Sequence, residues 1–271
     1  MDVNTHQDVN PSQQDTVYMA TLLQNKYEPL QFSLLKQCLV GIYPEAEALN
    51  LTTNRPDLPP TIENALLVSI DMVVVSIFQY NLVAPHGFFS SYSIEKFPSH
   101  SCRLEIASPY NPTTKDEAVR VARAIYMVLQ AATKLTGGHL AKWHPTGGIF
   151  GTEMLSRYKI LENGLWFPVG VWARIRISRI GDEAEVTQFV ARSTGLEAFF
   201  LPEIAIIGIN RSSHYLGLNA LEAALRGLRP GHPDKPGETI TLEDGGPQVR
   251  VAIEDGAGKI DRPVLHYTIL E

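Results

Sequence analysis

The chain has 271 residues, 44% of them hydrophobic, and a formal net charge of −6. That is enough length and apolar content for one large domain, or two small ones, with a substantial core. The mild acidic excess argues against a nucleic-acid binder, which would normally show a basic stripe, and is compatible with an ordinary cytosolic protein or one with a basic partner.

The N-terminal stretch "MDVNTHQDVNPSQQD" is polar, with no basic n-region and no apolar core, so it reads as a frayed tail over residues 1–15 rather than a signal peptide. A strand is predicted over Thr16–Gln24. Next, "LQFSLLKQCLVGIY" places Phe32, Leu35, Leu39 and Ile42 on one helical face. The proline-punctuated stretch Pro44–Asn64 forbids a continuous helix or a central strand and reads as a surface excursion. "LLVSIDMVVVSIFQ" is rich in β-branched residues but too long for one typical strand, so a long bent strand or two strands meeting near Asp71–Met72 is expected. The longest apolar stretch, "ALLVSIDMVVVSIF", is interrupted by Asp71 and falls short of the ~20 residues that a membrane span needs. No membrane association is expected, and the cytoplasm is the expected compartment.

Further along, Cys102, Leu104 and Ile106 alternate as in a strand. Thr114 and Glu117 have capping-box spacing ahead of a helix whose stripe is Ala118, Val121, Ala122, Ile125, Leu129 and Ala132, and which Gly137–Gly138 end. "GGHLAKWHPTGGIFGTE" reads as a turn-rich connection, and "WFPVGVWARIRISRI" as one strand with Val169, Val171, Ala173, Ile175 and Ile177 on one side. "EVTQFVARSTG" and "LPEIAIIGIN" follow as strands, then a helix with Leu218, Leu221, Leu225 and Leu228 in register, then three short strands in "ETITLED", "QVRVAIED" and "VLHYTIL". Strands therefore precede, separate and follow the helices. That order predicts an α+β fold: mixed or antiparallel sheets with two long amphipathic helices packed on them, as a single domain over residues 16–271. Each half runs strand, strand, helix, which hints at a weak internal duplication.

Chemistry is harder to place. Cys38 and Cys102 stand far apart with no C-x-x-C, which gives neither a disulfide framework nor a zinc signature. The glycine-rich segment could offer amides to an anion, yet it contains no G-x-x-x-x-G-K-[ST] and no G-x-G-x-x-G. His139, His144 and Glu153 are zinc-type residues at a spacing that fits no compact motif, and His86, His214 and His232 are isolated, so no metal and no cofactor are expected. There is no G-x-S-x-G elbow, and Ser193–Thr194 before Gly195 reads as a turn whose hydroxyls tie down local amides. Glu197 and Glu203, with Pro202 between them, lie in an apolar run. Glu203 at a strand entrance is expected to accept hydrogen bonds from the adjacent turn.

The order "SHSCRLEIAS", a long helix, "HLAKWHP", "LWFPVGVWARIRIS" and "ARSTGLEAFFLPEIAIIG", with its core of Thr194, Gly195, Leu196, Phe199, Pro202, Glu203 and Ile204, resembles bacterial domain-of-unknown-function family 4261 over roughly Leu66 to the C-terminus. The resemblance implies an α+β domain in bacterial cytoplasm, encoded near type VI secretion or polymorphic-toxin loci, with an immunity or accessory role. It brings no catalytic residues with it. Two functions follow as expectations. The first is a non-enzymatic binding protein that neutralises a toxin effector or serves the secretion system. The second is an enzyme whose site joins the 139–153 loop to the 194–203 segment. His139, Trp143, His144, Glu153, Thr194, Glu197 and Glu203 are the candidates for either role.

Overall fold

Two sheets, each carrying a long helix, build the computed structural model, which describes residues 18–43, 51–52, 62–84, 100–157, 160–162, 165–180, 188–209, 212–231, 234–242, 248–254 and 263–270. The expected 1–15 tail, His86 and His232 lie outside these residues. In chain order the first half consists of β1 (Met19–Gln24), α1 (Phe32–Ile42), β2 (Leu51–Thr52), β3 (Ile62–Ile70), β4 (Val73–Tyr80), β5 (Cys102–Ala107), α2 (Lys115–Thr136), β6 (Leu140–Trp143) and β7 (Gly148–Gly151). Its sheet has the order β2-β3-β4-β5-β1-β6-β7, and every neighbouring pair is antiparallel. After two single helical turns, α3 (Met154–Arg157) and α4 (Val169–Trp172), and a small hairpin of β8 (Ile160–Glu162) with β9 (Leu165–Phe167), the second half follows. It comprises β10 (Arg176–Ile180), β11 (Gln188–Arg192), β12 (Glu203–Ile209), α5 (Ser213–Leu228), β13 (Thr239–Thr241), β14 (Gln248–Glu254) and β15 (Val264–Ile269). This sheet runs β10-β11-β12-β15-β14-β13 and is mixed, because β12 and β15 pair in parallel. The α+β architecture is thus as expected. Each half contains a three-stranded antiparallel meander followed by a long helix, but the meander's last strand meets an antiparallel neighbour in the first sheet and a parallel one in the second.

The β-rich run after Asn64 resolves into β3 and β4, joined at Asp71 and Met72, both at positive φ (49° and 62°). Positive φ at both central residues is the twist-matched two-residue hairpin turn. Helix α2 starts at Thr114, whose side chain accepts from Glu117 N, and ends at Gly137 in the left-handed conformation with φ 63°. Glu117 reaches one residue further back than a capping box requires, accepting from both Thr113 N (2.8 Å) and Thr113 Oγ1 (2.9 Å).

Five expectations need correction. Within the excursion, Leu51–Thr52 forms a short edge strand on β3. Helix α2 is buried well beyond one stripe: Ala124, Tyr126, Met127, Val128, Gln130 and Ala131 are buried too, because α1 and the 196–199 turn pack on it as well as the sheet. The turn-rich connection is the β6–β7 hairpin. Residues 169–172, read as strand, wind into the turn α4 after Pro168, and the strand starts at Arg176. Leu218 points outward, 54% exposed, and α5 buries Leu216, Ala220, Ala223, Ala224, Leu225 and Leu228 instead.

One contiguous apolar cluster includes Leu22, Leu104 and Ile125 from the first half together with Phe199, Ile206, Leu225 and Tyr267 from the second. Contacts between the halves include the Tyr18 hydroxyl donating to Ala198 O, Phe199 meeting the Tyr18 ring edge-on with centroids 6.5 Å apart, and Lys115 Nζ donating to Arg229 O at 2.8 Å, at the C-terminal end of α5.

Candidate functional site

Glu203 opens β12 immediately after Pro202, whose missing N–H suits the first position of a strand. Its carboxylate turns back over the preceding loop. Oε2 accepts from the Ser193 hydroxyl, while Oε1 accepts from Gly195 N at 2.7 Å and from Glu197 N at 3.4 Å. The Ser193 Oγ in turn accepts from Ile204 N at 2.7 Å. Amide, hydroxyl and carboxylate form one closed network across the mouth of β11 and β12, as the position after Pro202 led us to expect. Burial pushes the carboxyl above its ordinary value, and the three donors oppose that rise.

Gly195 holds φ 108°, a conformation that L side chains rarely adopt. A Cβ there would overlap Thr146 Cγ2 and come within 2.8 Å of Trp172 O. Thr146 belongs to the β6–β7 turn, so the 139–153 hairpin and the 194–203 segment do meet. They meet by close packing of a buried threonine on a backbone. The polar side chains proposed for chemistry are not brought together.

His144 sits at the start of that same turn, and its Nε2 lies 2.9 Å from Thr21 Oγ1 on β1. Burial first, then Lys142, lowers its pKa to about 4, against the smaller opposing effect of Glu105. Thr21, Glu105 and Lys142 occupy one row of the first sheet, on the face away from α2. Trp143, one residue earlier, points the other way and is wholly buried in the core. His139 precedes β6 at its opposite end; both ring nitrogens are buried without a hydrogen-bond partner among the described residues, and burial lowers its pKa. Glu153 is exposed and folds its carboxylate over Gly151. Thr194 and Glu197 are exposed in the loop before β12, and His214 is exposed in the first turn of α5.

The seven candidates therefore divide among separate environments: Glu203 with Thr194 and Glu197 in the loop that holds it, His144 on the outer face of the first sheet, His139 at the far end of β6, Trp143 in the core and Glu153 at the surface. Among the described residues, no group of three or more His, Cys, Asp or Glu side chains is placed to hold a metal ion. Cys38 and Cys102 are both free thiols. Most amides of the glycine-rich hairpin already bond elsewhere: His139 N to Leu23 O, His144 N to Met19 O and Gly148 N to Thr146 Oγ1. Among the described residues, no helix is long and apolar enough to cross a membrane. No protein-family model matches the chain, and no curated protein matches it.

Sequence reasoning overlooked the partners that define these environments: Thr21 and Lys142 around His144, Thr146 against Gly195, and Tyr18 on the Ala198 carbonyl. Apart from Lys142, two residues before His144, none lies near its contact in sequence. It also passed over the arginines of "ARIRISR". Their alternation was visible, but their exposure depends on where the strand falls in the sheet.

Proposed function

We propose that this chain is a non-enzymatic binding protein that works by docking on a protein partner, as an immunity protein against a toxin effector or an accessory of a secretion system would. One observation carries this reading. His139, His144 and Glu203, which could have formed a reactive centre together, are held in separate places, and Glu203 has both oxygens engaged by its own loop. A carboxylate held this way fixes the shape of its loop. The toxin-directed role adds the family resemblance, by analogy. The test pairs binding with protection: titrate the purified chain with the product of the neighbouring gene, and co-express the two in a growth assay. Submicromolar binding with restored growth supports the reading. No binding and no protection overturns it.

A further inference from the structure

We infer that the partner docks by adding an acidic, extended segment to the free edge of β10. The inference deepens the binding reading and rests on it. Among the described residues β10 is the terminal strand of the second sheet, paired with β11, and all five of its residues are exposed. Arg174 and Thr194 exchange both backbone hydrogen bonds, at 3.0 and 2.9 Å. In an antiparallel ladder such pairs alternate, so even-numbered residues bond inward to β11, while Ile177 and Arg179 aim their N–H and C=O groups outward. That outward row is a template for one more strand.

The side chains specify its chemistry. Arg176 stands directly opposite Arg192 in the ladder. Like charges in that position destabilise a sheet, and neither side chain has an ion pair among the described residues. An anionic neighbour would offset that repulsion. The carboxylate of known position on this face, Glu203, is already held by the 193–197 loop. Arg179 adds a third cation on the opposite face of the same strand. Ile177 and Ile180 remain 39% and 36% exposed and offer apolar contact between the charges, with Ile177 seated over Gly217 of α5. Two arginines within five residues also disfavour pairing with a second copy of β10. A strand of alternating Glu or Asp with Val or Thr satisfies both the ladder and the arginines.

The probe is a fluorescein-labelled peptide of about ten residues, long enough for one strand, alternating Glu with Val and Thr. Anisotropy is read against three controls: the Gln-for-Glu peptide, the same peptide N-methylated at alternate amides, and a single-stranded oligonucleotide. The expected result is saturable binding of the acidic peptide, weakened at least roughly tenfold by Arg176→Glu with Arg192→Glu and abolished by N-methylation. Arg192→Gln alone should show a smaller loss, and a thermal melt confirms that each variant is folded. Equal binding of the Gln-for-Glu or N-methylated peptide, tighter binding of the oligonucleotide, or a dimer in solution through β10 overturns the proposal. The neighbouring gene's product separates the two levels. If it binds the parent and the charge-reversed protein equally, the docking edge is wrong while the binding reading survives. If it does not bind the parent, the binding reading itself fails.

Discussion

Glu203 and His144 each hold an unfavourable protonation equilibrium inside the fold, and they tilt stability in opposite directions. The unfolded chain releases the Glu203 proton in the ordinary carboxylate range, but the folded chain releases it only at a higher pH. Between the two the folded state binds more protons, and stability falls as pH rises. For His144 the folded value is about 4 against 6.5 for an unperturbed histidine. Between those values the unfolded chain binds more protons, so stability falls as pH drops, by about 3 kcal/mol across the window. Melts of His144→Gln from about pH 4 to 7 should lack that acid-side slope, and melts of Glu203→Gln should lack the opposing one. At neutral pH Glu203→Ala should cost on the order of 1–3 kcal/mol, because it leaves Gly195 N and the Ser193 hydroxyl without their acceptor, and Glu203→Gln should cost less. A Glu203→Ala melt that superimposes on the parent's would remove its structural role and make it the first residue to test for partner binding.

Two loops set the geometry of their neighbouring elements. Asp71 and Met72 both adopt positive φ in the β3–β4 turn, and Met72 is 83% exposed, so its side chain contributes little packing to offset the strain. Met72→Gly should therefore stabilise by about 0.5–1 kcal/mol, read as a raised Tm, while Met72→Val should lower it. Gly195 is the converse case. Gly195→Ala meets both an unfavourable φ and the Trp172 carbonyl, and should destabilise by roughly 3 kcal/mol or more, with Thr146→Ala recovering only part of the loss. Much at this level was legible in the sequence. Cys102, Leu104 and Ile106 alternate inward as β5, and Thr114 and Gly137 bound α2. What misled was local mimicry. Val169, Val171 and Ala173 alternate like a strand, yet Pro168 starts a helical turn there. Leu218 keeps helical register with Leu221 and Leu225, but α5 turns its small residues, Ala220, Ala223 and Ala224, toward the sheet, where close approach requires them.

The apolar cluster shared by the two sheets predicts how the molecule comes apart. Phe199 packs between Trp172 and Tyr18, so Phe199→Ala should cost about 3–5 kcal/mol and leave one cooperative transition, with far-ultraviolet circular dichroism and tryptophan fluorescence melting together. Two separated transitions, or clean cleavage near Gly147 into two stable halves, would contradict a single folding unit. The environment of Glu203 could be read from a proline and its apolar run, because its partners lie within about ten residues of it. The meeting of Thr146 with Gly195 could not, nor could the edge position of β10, because both depend on strand order, which no local pattern encodes.

That strand order also bears on how the chain is made. β1 leaves the ribosome well before β5 and β6, yet it lies between them. At about 5–20 residues per second it waits on the order of ten seconds for its first neighbour, with Leu22 and Leu23 uncovered and both backbone edges open. β15 has the mirror-image problem, since it must slot between β12 and β14 after both have been synthesised. Neither sheet can close vectorially, so nascent chains should depend on holdase chaperones and give inclusion bodies when synthesis is fast. Slower translation at low temperature should raise the soluble yield.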